Sequence, residues 1–313
     1  MTTLATSTPA LRPPRWPRPL AVDASVGVHV CAGAAAWMLP GVEWWSLGAV
    51  ALNHALLTAA GLVPRSALLG PNLRRLPDWP ATAATPPATA VTPALIGAPA
   101  ASNPAALSAG PPPRVALTFD DGPDPEVTPQ VLDLLDAVGA RATFFCIAEA
   151  ARRHPALTRE IAERGHSVQN HSARHRHHFA LLGPRRLTRE ISGAQALLAD
   201  LSGVQPHCIR APAGLRNPLL DPVLHQLDLH LVSWTRRGFD TADANAARVL
   251  GRLTRGLAAQ DILLLHDGHA RRNASGQPVV LAVLPALLAR LREAGLATAT
   301  LTEAVPRRHR PDA

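Results

Sequence analysis

The chain has 313 residues, and its 47% hydrophobic content is enough to fill a sizeable core, which excludes disorder of the whole protein. All 31 basic residues are arginines, and the absence of lysine excludes Schiff-base catalysis and the usual lysine-containing phosphate loop. The net charge of +8 does not predict a nucleic-acid partner, because the arginines are scattered, aromatic residues make up only 4% and no tyrosine is available for base stacking.

The first part of the chain consists of a polar leader and two apolar stretches. Residues 1–19 carry arginines among prolines, which is typical of a basic leader. Leu20–Leu39 and Val42–Val63 each approach the ~20 residues that a helix needs to cross a bilayer. Three tryptophans lie near the break between them, where an interfacial aromatic belt would form: Trp37, Trp44 and Trp45. The sequence therefore predicts a membrane-associated helical region over residues 20–76, with residues 20–63 in the inner membrane of a bacterial-type cell envelope.

Two features leave the placement of this helical region open. Four polar side chains interrupt the apolar stretches: Asp23, His29, Asn53 and His54. Because such groups are costly in lipid, a pair of helices buried against the rest of the protein is the alternative. Arginines flank both ends of the pair, namely Arg12, Arg15 and Arg18 before it and Arg65, Arg74 and Arg75 after it. If both stretches cross the membrane, the positive-inside rule places the remaining chain in the cytoplasm, whereas a single crossing places it outside.

The rest of the chain divides into a linker, a large domain and a tail. Residues 77–113 are rich in alanine, proline and threonine and almost uncharged, which is typical of an extended linker. Residues 114–306 alternate short apolar runs with amphipathic helical patterns, and residues 307–313 form the tail. Seven strands are predicted: Val115–Phe119, Thr143–Cys146, Ser167–Gln169, Cys208–Arg210, Leu229–Ser233, Ile262–Leu265 and Thr298–Leu301. This repetition predicts a barrel-like α/β fold with functional groups on the loops that follow the strands.

The first such loop places two carboxylates directly after an apolar strand. Asp120 and Asp121 stand in the run Thr-Phe-Asp-Asp-Gly-Pro. A cation bound to one carboxylate would leave the other free to act as a base with a tuned pKa. A simple turn explains the same residues equally well, because Asp-Gly-Pro is also common turn chemistry.

The second loop offers imidazoles. His171 and His175 are four residues apart, so they can face one side of a helical turn and bind one metal together. Three further histidines lie nearby: His166, His177 and His178. Because histidine is often simply exposed, a solvated polar loop is the alternative.

These residues resemble the NodB-type polysaccharide deacetylase family, also called carbohydrate esterase family 4, over roughly residues 114–306. The Thr-Phe-Asp-Asp-Gly run is similar to the family's first motif, which implies that Asp120 is the catalytic base and Asp121 a metal ligand. His171 and His175 are similar to the family's His-Ser/Thr-x-x-His metal motif. The resemblance implies a distorted (β/α)7 barrel of the NodB-homology type, here preceded by a two-helix apolar region, and it agrees with the strand count.

The other three family motifs are matched in the correct order. The third is matched by Arg210, Pro212 and Gly214, the fourth in part by Trp234 and Asp240, and the fifth by Leu263, Leu265, His266 and Asp267. The resemblance implies that Arg210 orients Asp120, that His266 is the general acid and that the backbone N–H of Ala213 stabilises the oxyanion. Four residues are candidates for the substrate groove: Pro212, Gly214, Trp234 and Leu264.

The chain departs from the family pattern at two positions. Ala213 and Thr241 stand where the family usually has aromatic residues that line the sugar groove, which weakens the expectation of a long polysaccharide substrate. Asp240 has two interpretations, since it can orient His266 or cap the helix that follows it. We favour the first, because a catalytic histidine is expected to have an orienting carboxylate.

The sequence thus predicts a metal-dependent hydrolase that removes an N-acyl group, usually acetyl, from an amino sugar of a glycan. Asp121, His171 and His175 would hold one divalent metal, for which zinc is the first choice and cobalt or nickel are admitted. One alternative is a deacylase or deformylase of a lipid-linked amino sugar at the membrane. Another is a catalytically inactive glycan- or metal-binding module. A serine hydrolase is disfavoured, because the sequence contains no Gly-x-Ser-x-Gly run.

Overall fold

A computed structural model describes residues 16–78 and 112–308. The first range contains α1 (Leu20–Met38) and α2 (Glu43–Leu62). The second alternates strands and helices: β1 (Arg114–Asp120), α3 (Thr128–Asp136), β2 (Ala142–Cys146), α4 (Ala148–Arg153), α5 (Pro155–Glu163), β3 (Ser167–Asn170), α6 (Pro184–Ser202), β4 (Cys208–Ile209), α7 (Leu220–Gln226), β5 (His230–Leu231), β6 (Arg236–Arg237), α8 (Ala246–Thr254), β7 (Ile262–His266), α9 (Val279–Glu293), β8 (Ala297–Thr298) and α10 (Leu301–Ala304). The leader, linker and tail fall mainly on residues 1–15, 79–111 and 309–313, which lie outside the described residues.

The strands form one parallel sheet in the order β5-β4-β3-β2-β1-β7-β6, and β8 pairs with β1. All seven predicted strands are present, although their ends differ from the sequence-based bounds by up to three residues. The sequence does not predict β6, because two consecutive arginines carry no apolar pattern. It forms because Arg236 and Arg237 pair with Leu263 and Leu264 of the buried strand β7. The predicted α/β barrel of the distorted (β/α)7 type is confirmed.

Alternation along β1 separates the interior of the barrel from the surface that the helices cover. The odd-numbered residues 115–119 pack in a core cluster with side chains of α3 and α9. Ala116 packs instead in an interior cluster with Phe145 and Leu264. Because successive strand side chains point to opposite faces, Thr118 and Asp120 share the interior face with Ala116. The strand therefore delivers Asp120 to the mouth of the barrel.

Helices α1 and α2 pack on each other and are otherwise exposed. Only 6% of the apolar window in α1 and 11% of that in α2 is buried, and both helices are long and apolar enough to cross a membrane. Three of the polar interruptions form contacts between the helices, since Asn53 Nδ2 donates to Ser25 Oγ at 2.8 Å and the Nε2 atoms of His29 and His54 lie 3.2 Å apart. The alternative of helices buried against the rest of the protein is therefore wrong.

The chain after α2 returns to the barrel and bridges β5, at one end of the sheet, to the start of β7. We call residues 63–76 the closing segment. Leu73 forms a parallel bridge with Val232, just after β5, and Arg75 forms an antiparallel bridge with Asp261, just before β7. Leu76 is 6% exposed and packs in the interior cluster. The sequence placed these residues with the apolar region and a domain boundary near residue 114, whereas their backbone groups pair with the barrel in the structure.

Leu76→Ala is expected to lower the free energy of unfolding of the barrel by about 2–5 kcal/mol, because it removes a buried side chain from the interior cluster. Leu68→Ala is the matched control, since Leu68 in the same segment is 63% exposed and its truncation should change stability by about 0.5 kcal/mol or less. Denaturant unfolding of the full chain, with intrinsic tryptophan fluorescence as the signal, measures the stability of both variants. Two equally small effects would show that the closing segment does not support the barrel.

Candidate active site

Asp120 ends β1 at the barrel mouth, where a buried arginine holds it. Arg210 is 0% exposed, and its Nη1 donates to Asp120 Oδ1 at 2.6 Å and to Thr118 Oγ1 at 2.8 Å. The remaining guanidinium nitrogens donate to the carbonyl oxygens of Val232 (3.3 Å) and Ser233 (3.0 Å). Because these contacts engage Oδ1 of Asp120, its Oδ2 is the oxygen left for chemistry.

Asp121 lies beside two histidines. Its Oδ1 is 3.3 Å from Nε2 of His171 and 3.4 Å from Nε2 of His175. One ligand atom from each of the three residues lies within 4.8 Å of the other two. His171 Nδ1 is 2.8 Å from the carbonyl oxygen of Arg210, so Nδ1 carries the proton and Nε2 is left with its lone pair toward Asp121. One carboxylate and two imidazoles at this spacing are a suitable donor set for a divalent ion.

The two histidines meet through a loop that is not helical. Ser172 and His175 have φ angles of 65° and 48°, in the left-handed region. Asn170 Oδ1 accepts from the backbone N–H of Ser172 at 2.8 Å, and Ser172 Oγ accepts from that of His175 at 3.0 Å. The predicted helical turn is therefore wrong, because these two side-chain hydrogen bonds fold the loop instead. The solvated-loop alternative also fails for His171, which is 2% exposed.

The electrostatics of Asp121 favour the anion. Burial opposes its ionisation, but the neighbouring imidazoles of His171, His269 and His175 outweigh burial and hold the pKa of Asp121 far below its usual range. Its Oδ1 is buried and has no hydrogen-bond partner among the described residues. A buried carboxylate oxygen that lacks a partner and faces two imidazole nitrogens is an arrangement that a cation would complete. These residues therefore fit a divalent metal.

His266 ends β7 beside Asp120 and is oriented by Asp240. Strands β1 and β7 pair in register at Asp120 and His266. The buried Asp240 places Oδ1 2.9 Å from His266 Nδ1, and its Oδ2 accepts from the backbone N–H of His266 at 2.7 Å. Burial lowers the pKa of His266, but the hydrogen bond and charge of Asp240 outweigh it and raise that pKa above its ordinary value. The helix-cap interpretation of Asp240 is wrong, because Asn245 caps α8 by accepting from the N–H of Arg248.

Sequence reasoning assigned no role to the residues that brace the Asp121 loop, although it matched Asp267 to the fifth motif. Asp267 is fully buried, and its Oδ2 accepts from Thr128 Oγ1 at 2.5 Å. Burial raises the pKa of Asp267 to about 7. A Cβ at Gly122 would lie 2.0 Å from Asp267 Oδ2, so only glycine fits between this carboxyl and the loop. His269 Nδ1 lies 3.5 Å from Asp121 Oδ2. No sequence spacing signals such contacts, since Thr128 and Asp267 are 139 positions apart.

A cleft of about 700 Å3 opens above these groups. Nine of the predicted site residues line it: Asp120, Asp121, His171, His175, Ala213, Gly214, Trp234, Leu264 and His266. Arg210 and Asp240 lie behind the cleft and are 0% exposed, as suits residues that orient others. Pro212 was expected in the substrate groove but is buried in the turn below Ala213. Three arginines that sequence reasoning did not single out also line the cleft: Arg153, Arg174 and Arg237.

The candidate oxyanion residue has an unusual backbone conformation. Ala213 has φ 55° and ψ 8°, the left-handed region that costs a residue with a side chain free energy. Backbone hydrogen bonds from Gly214 to Ala211 and from Leu215 to Pro212 hold the turn. The strained residue lies on the cleft wall, which is where a backbone donor for a developing oxyanion is needed.

Comparisons with known proteins match this part of the chain. The family model described as polysaccharide deacetylase matches residues 108–232. A peptidoglycan-N-acetylglucosamine deacetylase of Bacillus cereus is 30% identical over 197 residues, which cover 62% of this chain and 89% of that protein. A chitooligosaccharide deacetylase of Sinorhizobium fredii is 30% identical over 197 residues, which cover 61% of this chain and 91% of that protein. Among solved structures, a family 4 carbohydrate esterase from Streptomyces lividans in complex with acetate is 31% identical with a TM-score of 0.56, covering 64% of this chain and 98% of that one.

Asp121→Asn is expected to weaken Zn2+ binding by more than about 100-fold, because loss of a charged ligand should exceed the 10–100-fold effect typical of outer partners. Asp120→Asn is the matched control, since Arg210 already engages that neighbouring carboxylate and metal affinity should change far less. Titration calorimetry of the metal-stripped full chain measures both variants. Equal losses would contradict the division of the two carboxylates into ligand and base.

Proposed function

Because the chain belongs to the polysaccharide deacetylase family, we propose that it hydrolyses the acetamido bond of an amino sugar with a divalent metal held by Asp121, His171 and His175. The chain is an enzyme, a hydrolase that removes acetyl groups from amino sugars of a glycan. The observation that carries the assignment of residues is that Asp120, the three metal-binding candidates and His266 line one cleft.

Zinc is the metal that we propose, because a carboxylate and two imidazoles suit it and leave coordination positions open. Cobalt or nickel accept the same donors. When bound, the ion would polarise the acetyl carbonyl and lower the pKa of a coordinated water toward ~7. The fit rests on the donor types and on the unpartnered Oδ1 of Asp121.

The residues around the ligand set divide the proton transfers between them. Arg210 fixes Asp120 through Oδ1, and Asp120 Oδ2 lies 3.9 Å from His171 Nε2, so this oxygen can take the proton of an attacking water beside the ligands. His266 then gives a proton to the departing sugar nitrogen, and Asp240 keeps it protonated until that step. The backbone N–H of Ala213 stabilises the oxyanion.

The proposed substrate carries N-acetylglucosamine, because the relatives are named for peptidoglycan N-acetylglucosamine and chitooligosaccharides. A catalytically inactive binding module is disfavoured by the site. Such a module would not need Arg210 to hold Asp120 or Asp240 to hold His266, and both contacts are present at 2.6 Å and 2.9 Å.

We further propose that the α1–α2 hairpin anchors the enzyme in the membrane. The helices of 19 and 20 residues are about 28 and 30 Å long at 1.5 Å per residue, close to the ~30 Å of a bilayer core. Both ends of the hairpin lie against the barrel, since Trp16 Nε1 donates to Asp221 Oδ2 at 2.7 Å and the N–H of Arg216 donates to the Gly61 carbonyl at 3.1 Å. The barrel therefore lies on the same side of the membrane as both helix ends, beside the flanking arginines.

His266→Ala is expected to slow acetate release from N-acetylchitotetraose by about 10²–10⁴-fold, because an amine leaving group needs a proton. Hydrolysis of 4-nitrophenyl acetate should suffer much less, since its leaving group departs without protonation. Both rates are measured on the zinc-loaded full chain. Absence of acetate release by the parent protein would refute the proposed function, and equal losses on both substrates would refute only the role of His266.

Asp240→Asn is expected to shift the alkaline limb of the kcat profile to lower pH. The carboxylate raises the pKa of His266, so its removal lowers that pKa and the acid form is lost earlier as pH rises. Asp243→Asn is the control, because that carboxylate belongs to the same loop but pairs with Arg248 and Arg252. A limb that does not move in Asp240→Asn would mean that it reports another group.

A further inference from the structure

A second groove lies directly beside the active-site cleft, at the root of the α1–α2 hairpin. Its apolar wall comes from the last turns of α2 and the closing segment: Leu56, Ala59, Ala60, Val63 and Leu68. Leu56, Val63 and Leu68 are 63%, 54% and 63% exposed, so the wall is open. If α2 lies in the membrane, this groove opens at the membrane surface.

Three of the other lining residues of the groove are arginines. Arg65, Arg74 and Arg75 line it together with Thr235. Arg75 is paired with Asp261 at 3.4 Å, but Arg65 and Arg74 contact only carbonyl oxygens, of Thr235 and Arg65, and have no carboxylate within ion-pair distance among the described residues. The groove therefore combines an apolar wall with two positive charges that no carboxylate of the described residues neutralises.

Trp234 connects this groove to the active site. It lines both cavities, and a Cβ at Gly214 would lie 2.8 Å from its ring and 2.6 Å from Pro64 of the closing segment. On the cleft side of the ring lies Arg237, whose guanidinium is 5.4 Å from the Trp234 ring centroid. The Nε of Arg237 is buried and has no hydrogen-bond partner among the described residues. Trp234 therefore lines both cavities, with Arg237 in the lining of the cleft and Arg65 and Arg74 in the lining of the groove.

We propose that the substrate is a membrane lipid whose headgroup is an N-acetylated amino sugar joined through a phosphate. This inference rests on the proposed deacetylase function and names its substrate class. The sugar occupies the cleft next to the metal-binding candidates. The phosphate lies beside Trp234, between Arg237 and Arg65, and the lipid chain follows the apolar wall along α2. Guanidinium groups suit phosphate oxygens because they offer paired, charged donors.

The position of the barrel supports a substrate at the membrane surface. The closing segment fixes the cleft at the foot of the hairpin through Ser233 Oγ, which donates to the Pro64 carbonyl at 2.7 Å. The turn between α1 and α2, residues 39–42, contains no arginine, whereas arginines precede α1 and follow α2. With both helices in the membrane, this asymmetry places the barrel at the cytoplasmic surface, where lipid-linked precursors are within reach and a finished wall polymer is not.

The test compares two substrates on the zinc-loaded full chain in neutral detergent micelles. The first is the dodecyl phosphodiester of N-acetylglucosamine 1-phosphate, and the second is N-acetylchitotetraose. The double variant Arg65→Gln, Arg74→Gln should raise KM for the lipid phosphodiester by about tenfold or more, because each lost charged contact weakens binding severalfold. The increase in KM for N-acetylchitotetraose should be at least about tenfold smaller. The Arg65→Lys, Arg74→Lys double variant should recover much of the affinity for the lipid phosphodiester. Arg159→Gln, on the exposed face of α5, is the matched control.

Four outcomes would overturn the proposal. Equal losses on both substrates would mean that the two arginines only support the barrel. If the methyl phosphodiester of the same sugar has the same KM as the dodecyl one, the lipid chain does not contribute to binding. An unchanged KM for both substrates in the double glutamine variant would mean that the two arginines do not bind the phosphate. A loss on both that appears only after phosphatidylglycerol is added would assign the groove to bilayer headgroups.

Equilibrium binding of the dodecyl phosphodiester, without turnover, separates this inference from the proposed function. If the parent protein releases no acetate from either compound, the deacetylase proposal fails. Binding that weakens by the same factor in the double glutamine variant would then still show an anionic-lipid site, and binding that does not weaken would overturn that site as well.

Discussion

Two adjacent carboxylates at the end of a buried strand impose the main constraint on this molecule. Asp120 and Asp121 have side chains that are only 5% and 10% exposed, so their charges must be balanced within the protein. Arg210 balances the first through Oδ1, and two histidines approach the second through Nε2. Because the two carboxylates have different partners, they can act differently, one as a base and the other as a ligand. The separation of roles is therefore a consequence of which loop reaches which oxygen.

Hydrogen bonds of the buried Arg210 connect Asp120 to the edge of the barrel beyond β5. Besides Asp120 it needs acceptors for its remaining donors, which it finds in the carbonyl oxygens of Val232 and Ser233. Those residues are themselves held by the closing segment, since the N–H of Ser233 donates to the carbonyl of Leu73. A chain of hydrogen bonds thus runs from the segment after α2 to Asp120, the proposed base. The N-terminal region contributes to the active site without supplying a reacting group.

This connection gives the hairpin a structural relation to the chemistry. A flexible tether would allow the barrel any orientation, whereas the packing of Gly61 against Arg216 and of Pro64 against Gly214 fixes the cleft at the hairpin root. The substrate proposal follows from that placement, because the groove along α2 and the cleft meet at Trp234.

The sequence by itself determined the strand-and-helix repetition and the family to which the chain belongs, because apolar periodicity and short local motifs such as Thr-Phe-Asp-Asp-Gly act over a few residues. It also identified Asp121, His171 and His175, which the structure brings within 4.8 Å of one another. The non-helical loop at Ser172, the bracing of Gly122 by Asp267 and the closing segment depended on the tertiary structure. For Gly122 and the closing segment the stabilising partner is distant in sequence, and a pairing over 139 residues or between Leu73 and Val232 leaves no periodic signal in the chain. The Ser172 loop is folded by the side chain of Asn170, which is itself held by Gln195 of α6 at 2.8 Å.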